Sequence, residues 1–600
     1  ASPIPGAPKP EISGNYTVEV NSSIILLPED KMQARYFDPR VGYFAVGYTD
    51  FDINPQGVER VSLIKRWRLE PKPKDVEKYK RGELVEPAKP IVFYIDPLTP
   101  KKWIPYLIQG VNDWQKAFEK AGFKNAIYAK VPNPKDDPEW SLEDARFSAV
   151  VYKPSDVPNA SGPSIADPRT GEILESHINW YHNVMKLLND WYFVQASPND
   201  PRARKADFDD ELMGQLIRFV SSHEVGHTLG LRHNYGSSST VPVENLRNNS
   251  WLKANGHTPS IMDYARFNYV AQPEDKINVD NLMPRIGDYD DWAIEWGYRR
   301  FYNYNSPEKE KTFINKWTIE KLQNPRLWFG TETNPYDPRS QSEQVGDNPM
   351  IAGKYGVKNL QRVIDNLEAW STKPNEDYSV LADRYNQVSG QFSRYLGHVA
   401  KYIGGVMETP KTVEQKGAVY ELVSKTEQKE ALKFLNDYVF TTPNWILKKD
   451  VLNKINRTPV DVVSNLQNGV LNRILMNGVL ENLNKGESID INAYSLFDYL
   501  QDLKSNIFSE LKTSAKIDIY RRNLQRSFVD NLLSKTDSAT SASIIRMGSS
   551  DNSDVKALVR GTLRDIRNEA SKSASQYSDS VTKYHLEDLV YRIDKALEVK

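Results

Sequence analysis

Apolar residues divide the chain into a front part with the two-residue period of strands and a back part with the three-to-four-residue period of helices. Residues 16–20, 23–27 and 42–48 alternate in hydrophobicity, with turn residues at Pro28-Glu29-Asp30 and Asp38-Pro39 between them. This predicts β-hairpins, the end of a β-rich domain. The charged, proline-containing stretch 72–87 reads as a surface connection. Ile91-Val92-Phe93-Tyr94-Ile95, bounded by Pro90 and Pro97, predicts a buried strand. Trp103, Leu107, Val111, Trp114 and Phe118 fall at steps of three and four, which predicts one amphipathic helix over 101–118 that Gly122 ends. Residues 126–131 and 147–152 predict two further strands. Strand, helix and strands in that order imply a twisted sheet with the helix packed on one face. After the turn cluster at 167–171, residues 172–180 predict a strand near the sheet edge, where an extended peptide could be added; an ordinary sheet strand is the alternative.

Leu212, Leu216, Phe219 and Val220 share one side of a predicted helix with His223 and His227. Residues 234–259 are polar and loop-like. Residues 288–302 predict a helix with aspartates at its start and Arg299-Arg300 at its end, both favourable to the helix dipole. From about Val357 the period is helical, as in Leu360, Val363, Ile364 and Leu367, and Ser/Asp/Thr-rich residues 534–554 predict a partly mobile stretch. Four regions follow: a β-rich segment at 1–86, a mixed domain at 87–330, an irregular connection at 331–356 and a helical region at 357–600. The fold class is α+β and multidomain.

Composition narrows the partners. A chain of 600 residues suggests roughly three to four domains. With 78 basic and 79 acidic residues, a net charge of −1, nothing favours nucleic acid or an anionic membrane as partner. The absence of cysteine excludes disulfides, thiolate metal sites, a cysteine nucleophile and inhibition by a cysteine of this chain. No apolar run reaches membrane-spanning length. The start at Ala1-Ser2-Pro3-Ile4-Pro5 is read as a processed or trimmed product whose targeting segment has been removed.

The chemistry lies in His223-Glu224-Val225-Gly226-His227-Thr228-Leu229-Gly230-Leu231-Arg232-His233. Four residues turn a helix only about forty degrees past a full circle, so His223 and His227 can grip one ion. Glu224 is rotated away from the ligand direction and can reach a metal-bound water, the geometry of a general base. Gly230 can take the left-handed conformation that ends a helix, letting His233 return as third ligand. Three protein ligands leave a fourth position open, as in catalytic zinc sites, and three nitrogens without thiolate favour one Zn2+. Downstream, Ser260-Ile261-Met262-Asp263-Tyr264 offers Met262 as a polarizable floor beneath the imidazoles. His177 and His182 are read as structural or surface histidines.

The motif with its Met-turn resembles the metzincin clan of zinc endopeptidases, and Tyr264 two places after Met262 is similar to the astacin and serralysin branches, although Asn234 departs from the residue typical there. Residues 34–40, Gly162-Pro163-Ser164, 167–171, His233-Asn234 and 288–294 resemble large bacterial zinc-dependent metalloproteases of the Met-zincin type. The resemblance implies that 87–330 is a metzincin-like catalytic domain: a sheet-plus-helices upper lobe to about Gly230, a smaller lower lobe with the Met-turn, and a cleft for an extended polypeptide between them. It also implies an extracytoplasmic location, periplasmic, cell-surface or secreted.

The expected function is a zinc-dependent endopeptidase in which Glu224 takes a proton from a zinc-activated water and returns it to the leaving amine. Tyr264 either ligates zinc at rest, or bonds the oxyanion, or is purely structural. The alternatives are a zinc amidase or glycopeptide- or mucin-directed hydrolase, and a catalytically inactive zinc-containing binding protein. Latency through an upstream carboxylate such as Asp38 competes with an ordinary turn aspartate. The helical region could brace the cleft, recognise substrate or mediate assembly.

Overall fold

The central sheet has the order β4-β3-β5-β9-β6, built from β3 (Ile91–Ile95), β4 (Ile127–Lys130), β5 (Ser148–Lys153), β6 (Ala160–Ser161) and β9 (His177–Tyr181). We describe it from a computed structural model covering residues 20, 22–536 and 553–597. The expectations for residues 16–19 and for most of 534–554 lie outside the described residues.

Four strands run parallel, in register Phe93↔Ser148 and Ala149↔His177, while β6 runs antiparallel along β9 with Ala160 opposite Trp180. The strand expected near the sheet edge over 172–180 is therefore two elements, of which β9 lies next to the edge strand β6. Residues Ile173–Glu175 form β8, which pairs with β7 (Ile165–Ala166) in a separate ribbon, and β9 is interior. Alternating hydrophobicity reports a half-buried strand but not how many neighbours it has. The edges of the sheet are β4 and, beyond β9, β6, two residues long and without a periodic signal.

Helix α1 (Val76–Lys80) lies in the stretch read as a surface connection. The helix expected over 101–118 is split into α2 (Ile104–Asn112) and α3 (Gln115–Lys120). Tertiary ties act at the break: Arg218 holds Asp113 through two hydrogen bonds of 2.9 and 2.6 Å, and the Trp114 indole donates to the Ser222 carbonyl at 2.8 Å. α4 (Val184–Ala196) and α5 (Asp210–Thr228) follow. α2 lies against β3 and β4 and α5 against β6 and β9, so the two helices share one face of the sheet. They come close where Gly110 faces Ser221; a Cβ at Gly110 would stand 2.4 Å from the Ser221 Cβ. The serine hydroxyls of Ser221 and Ser222 donate to the Leu107 and Gly110 carbonyls at 3.0 and 3.1 Å, locking the register of α5 against α2.

In the N-terminal segment β1 (Ala45–Asp50) and β2 (Glu59–Ile64) form a hairpin, whereas residues 23–27, expected as a strand, have no strand partner among the described residues and are mostly exposed. The polar stretch 234–259 contains α6 (Asn249–Asn255), capped by the Asn248 side chain. α7 (Asp288–Tyr298) ends before Arg299, because Arg300 N–H is taken by the Tyr79 hydroxyl at 3.0 Å. After α8 (Pro307–Lys321), α9 (Pro349–Ser371) begins inside the expected connection: Asn348 caps it and Pro349 occupies its first turn. α10 (Ser379–Ala400) folds back along α9, and further helices, from Lys425–Leu435 to Ser580–Ala596, complete a helical C-terminal region. The result is the expected α+β class with a mixed sheet, a β-rich N-terminal segment and helices behind.

Four Asp-Pro-Arg turns recur, at Asp38, Asp167, Asp200 and Asp337. In each the arginine two residues on donates from Nε to Oδ1 at 2.8–3.1 Å and from Nη2 to Oδ2 at 2.5–2.8 Å of the same aspartate. Proline presets the turn while the fork of the guanidinium closes it.

His585, on the last helix, is buried and neutral by construction: its Nε2 pairs with Gln525 Oε1 at 2.9 Å and its Nδ1 faces Arg526 at 3.4 Å. Burial, then Arg526 and Arg522, lower its pKa to about 3. The unfolded chain therefore binds a proton below about 6.5 that the folded chain refuses, and stability is present above that pH and falls as pH drops from about 6.5 toward 3. His585→Gln should flatten that fall by up to about 1 kcal/mol per pH unit, measured by urea unfolding at pH 7.0 and 5.5. Parallel pH profiles for wild type and variant would contradict the assignment.

Candidate metal centre

α5 opens with Asp209 accepting the Leu212 N–H at 2.9 Å and runs buried to Thr228. Its end is a chain reversal in which Gly230 N–H reaches the His227 carbonyl at 3.0 Å and Leu231 N–H the Gly226 carbonyl at 3.1 Å, a Schellman arrangement with Gly230 at φ +95°. Here glycine is required twice. The left-handed backbone disfavours a side chain, and a Cβ would lie 2.0 Å from the Lys65 carbonyl oxygen. The reversal is paired on its outer side: Phe44 N–H donates to Gly230 O at 2.7 Å, Arg232 N–H to Gly42 O at 2.8 Å, and Tyr43 bridges Leu231. A stretch of the N-terminal segment is thus the template on which His233 returns.

His223, His227 and His233 form the one group among the described residues able to hold a metal ion, with ligand atoms within 4.8 Å of one another. Nε2 of His233 stands 3.2 Å from Nε2 of both His223 and His227. Each helical histidine turns its Nδ1 to a backbone carbonyl at 2.9 Å, His223 to Ile261 and His227 to Leu231. That contact fixes the Nδ1–H tautomer and leaves the lone pair on Nε2 facing the centre. Burial holds all three imidazoles below their ordinary pKa, with neighbouring charges adding for His223 and His233, so the centre is three neutral donors. Lone pairs aimed at one another repel unless a cation lies among them. Tetrahedral bonds of about 2.0–2.1 Å place nitrogens roughly 3.3 Å apart, which fits the spacing seen. The donor set fits a zinc ion.

Glu224 is buried beside these ligands, and the Gly162 N–H, just beyond β6, donates to its carboxylate. Burial raises its pKa to about 8 against the lowering effect of that N–H. A Cβ on Gly162 would stand 2.5 Å from the Glu224 carbonyl oxygen, so edge strand and metal helix touch here through backbone.

Beneath the ligands, Met262 fills the space left by Gly226, where a Cβ would lie 2.2 Å from the Met262 sulfur. The turn carrying it is held by Asp290, which accepts from Ser260 Oγ at 2.6 Å, Ile261 N at 2.7 Å and Gly287 N at 2.9 Å. The ring of Tyr264, at φ +63°, lies edge-on to His223 and His233, its centroid 5.6 and 5.2 Å from theirs. The Arg266 guanidinium lies 5.2 Å from the centre of its ring. Asn234 clamps the next segment, its N–H to Met262 O at 2.8 Å and its side chain between Trp328 O and Gly330 N.

Several residues at the centre were not singled out from sequence. Phe44 lies over His227 with ring centroids 6.0 Å apart and is 39% exposed, an apolar surface beside the ligands. Tyr235 stacks on His233 at 5.2 Å. Gly226 was visible in the motif but carries no chemistry until Met262 is placed beneath it. His177 and His182 lie outside the ligand group: His177 faces the Phe147 carbonyl and Glu175, His182 the Tyr152 hydroxyl. Asp38 is clamped by Arg40 in its own turn, so latency through it is replaced by the turn-aspartate reading.

Sheet, metal helix and Met-turn define a zinc metalloprotease of the metzincin type. A family model described as Met-zincin matches residues 205–515, over half of the 600 residues, and the chain belongs to that family. A second model, described as a domain of unknown function, matches residues 3–72. No curated protein and no solved structure matches the chain. The Met-zincin match extends well into the C-terminal helices, and the second model takes in residues 42–44, which pair with the ligand loop.

Because Asp290 holds the Ile261 peptide that orients His223, Asp290→Ala should weaken zinc binding by about 10–100-fold. Competition with a chromogenic chelator reads this directly, and an unchanged zinc affinity would remove Asp290 from the metal's support.

Proposed function

We propose that this chain is a zinc-dependent endopeptidase acting on extended polypeptides outside the cytoplasm, with His223, His227 and His233 as zinc ligands and Glu224 as general base. The observation that carries the reading is the juxtaposition of three convergent Nε2 atoms with a buried carboxylate tethered at the end of the edge strand β6. Family membership supports the class of reaction, and the family resemblance of the sequence supports the location.

A bound zinc ion supplies a Lewis acid and lowers the pKa of water toward about 7. The chain's own residues do the rest. The Gly162 N–H favours the ionised form of the Glu224 carboxylate, the form a general base needs. The carboxylate takes a proton from the attacking water and passes it to the amide nitrogen as the C–N bond breaks. Tyr264, edge-on to His223 and His233, donates its hydroxyl proton to the substrate oxyanion. The unpaired backbone of β6 accepts an extended peptide as an added strand, with Phe44 and the two tyrosines as walls to the cleft.

Glu224→Gln keeps the size and hydrogen-bonding of the side chain but cannot carry the proton. It should retain one zinc per chain by metal analysis and lose about 10²–10⁴-fold in kcat on a peptide library. An unimpaired variant would sink the mechanism.

A further inference from the structure

On the far side of Tyr235 from His233 lies a cavity of about 580 Å³. Its near wall is Tyr235 with the segment from Glu332 to Ser342; its far wall is the helical C-terminal region, through Arg394 and His398 of α10, Lys401, and Arg473 of the helix Pro459–Ile474. Three side-chain cations face this space. Arg394 spends only Nε on an ion pair, with Glu343 at 2.8 Å. Lys401 donates to two carbonyls, of Asn334 at 3.0 Å and Ser340 at 2.9 Å, and meets no carboxylate. The Arg473 guanidinium makes no hydrogen bond or ion pair among the described residues.

Arg473 is nonetheless placed rather than loose. Its Nη1 lies where a Cβ on Gly397 would come within 2.3 Å, so the missing side chain at Gly397 lets the guanidinium lie against α10. The only carboxylate on the cavity wall, Glu332, is spent on Arg232 through hydrogen bonds of 3.1 and 2.9 Å. Arg394 has a partial counterion in Glu343 and Lys401 a nearby one in Asp337, which leaves Arg473 as the unpaired charge. Lys401 is lowered to about 8 by burial, against Asp337 and with Arg473 lowering it further, and His398 is lowered to about 3 by burial and then by Arg473, Arg394 and Lys401. A guanidinium held against a concave wall without a counterion raises the free energy of the empty site, and an anion entering it removes that cost.

We propose that this cavity binds a carboxylate of the polypeptide substrate, either an acidic side chain or the chain terminus, with Arg473 as its principal partner and Arg394 and Lys401 beside it. The Tyr235 ring stacks on a metal ligand and also lines the cavity, so a peptide at the metal centre can place a carboxylate here. The helical region is then a substrate-recognition wall. This inference rests on the peptidase reading, so its test is binding as well as cleavage.

Three blocked or free tetrapeptides serve as probes on zinc-loaded Glu224→Gln protein: Ac-Ala-Ala-Glu-Ala-NH2, its Gln counterpart, and Ac-Ala-Ala-Ala-Ala with a free carboxylate. By calorimetry one of the two acids should bind about tenfold or more tighter than the neutral peptide, the Glu peptide if the ligand is a side chain and the free acid if it is a terminus. Arg473→Gln should bring that ratio close to one with zinc content and thermal midpoint retained, and Arg473→Lys should restore part of it. Equal affinities for acids and amide, or a preference that persists in Arg473→Gln, overturns the proposal. A wild-type enzyme that cleaves no peptide while the binding preference holds counts against the peptidase reading and leaves the carboxylate site standing.

Discussion

Everything at the metal centre depends on the reversal at Gly230. Two of the three ligands come free with an α-helix, since four residues bring His223 and His227 to one face. The third must be brought back against the direction of the helix, and here the structure is crowded: the Lys65 carbonyl fills the space a Cβ would need, and residues 42–44 pair along the returning chain. A helix end is intrinsically frayed, with unsatisfied carbonyls and little to hold its direction. Pairing with a segment almost two hundred residues earlier in the chain turns that weak point into a fixed one. The N-terminal segment is therefore part of the metal site's scaffold, although it supplies no ligand.

The lower wall is held by a different currency, buried carboxylates. Asp290 and Asp263 are both fully enclosed, and burial raises each to about 7. Taking such groups out of water is costly unless they accept several hydrogen bonds. Asp290 accepts three, two of them from the Met-turn, the Ser260 hydroxyl and the Ile261 N–H, and Asp263 accepts from Ser238 and Thr258. An apolar packing of the same volume would avoid the desolvation cost, yet it could not define where the Ile261 carbonyl points. Since that carbonyl sets the His223 tautomer, the carboxylate contributes direction at the ligand at some expense of stability.

This division between local and distant determinants also explains what could be read from the chain alone. The convergence of His223, His227 and His233, the reversal at Gly230 and the place of Met262 beneath them were legible because they follow from short spacings and from the conformational needs of single residues. The strands at 91–95, 126–131 and 147–152 were legible as runs, and so was the helical character beyond Val357. What escaped depends on who pairs with whom. The stretch 172–180 alternates as an edge strand would, but β5 and β6 flank β9 on both sides. The split between α2 and α3 answers to Arg218 and Ser222, far along the chain. Phe44 and Tyr235 look like any other aromatic residue until the fold sets them against His227 and His233. The start of α9 is a different kind of miss, because Asn348 and Pro349 carried a readable cap before the apolar period became visible.

The helical region is tied to the centre by a buried ionic junction and not only by apolar contact. Glu343 bonds Arg266 at 2.6 Å and Arg394 at 2.8 Å, and its N–H donates to the Tyr264 carbonyl at 3.1 Å. Arg266 in turn lies over the Trp191 ring at 3.2 Å and 5.2 Å from the centre of the Tyr264 ring. The Glu343–Arg266 pair is buried, whereas Arg394 of α10 is 43% exposed and reaches the same carboxylate from the solvent side. Breaking the buried pair strands a charge out of water, which costs far more than the pair is worth when made. Tyr264 is thus coupled to the segment that carries Glu343, and α10 adds a screened contact to that segment through Arg394. That coupling gives a physical reason for the family match to run on past the Met-turn into the helices, because the site's geometry is completed there.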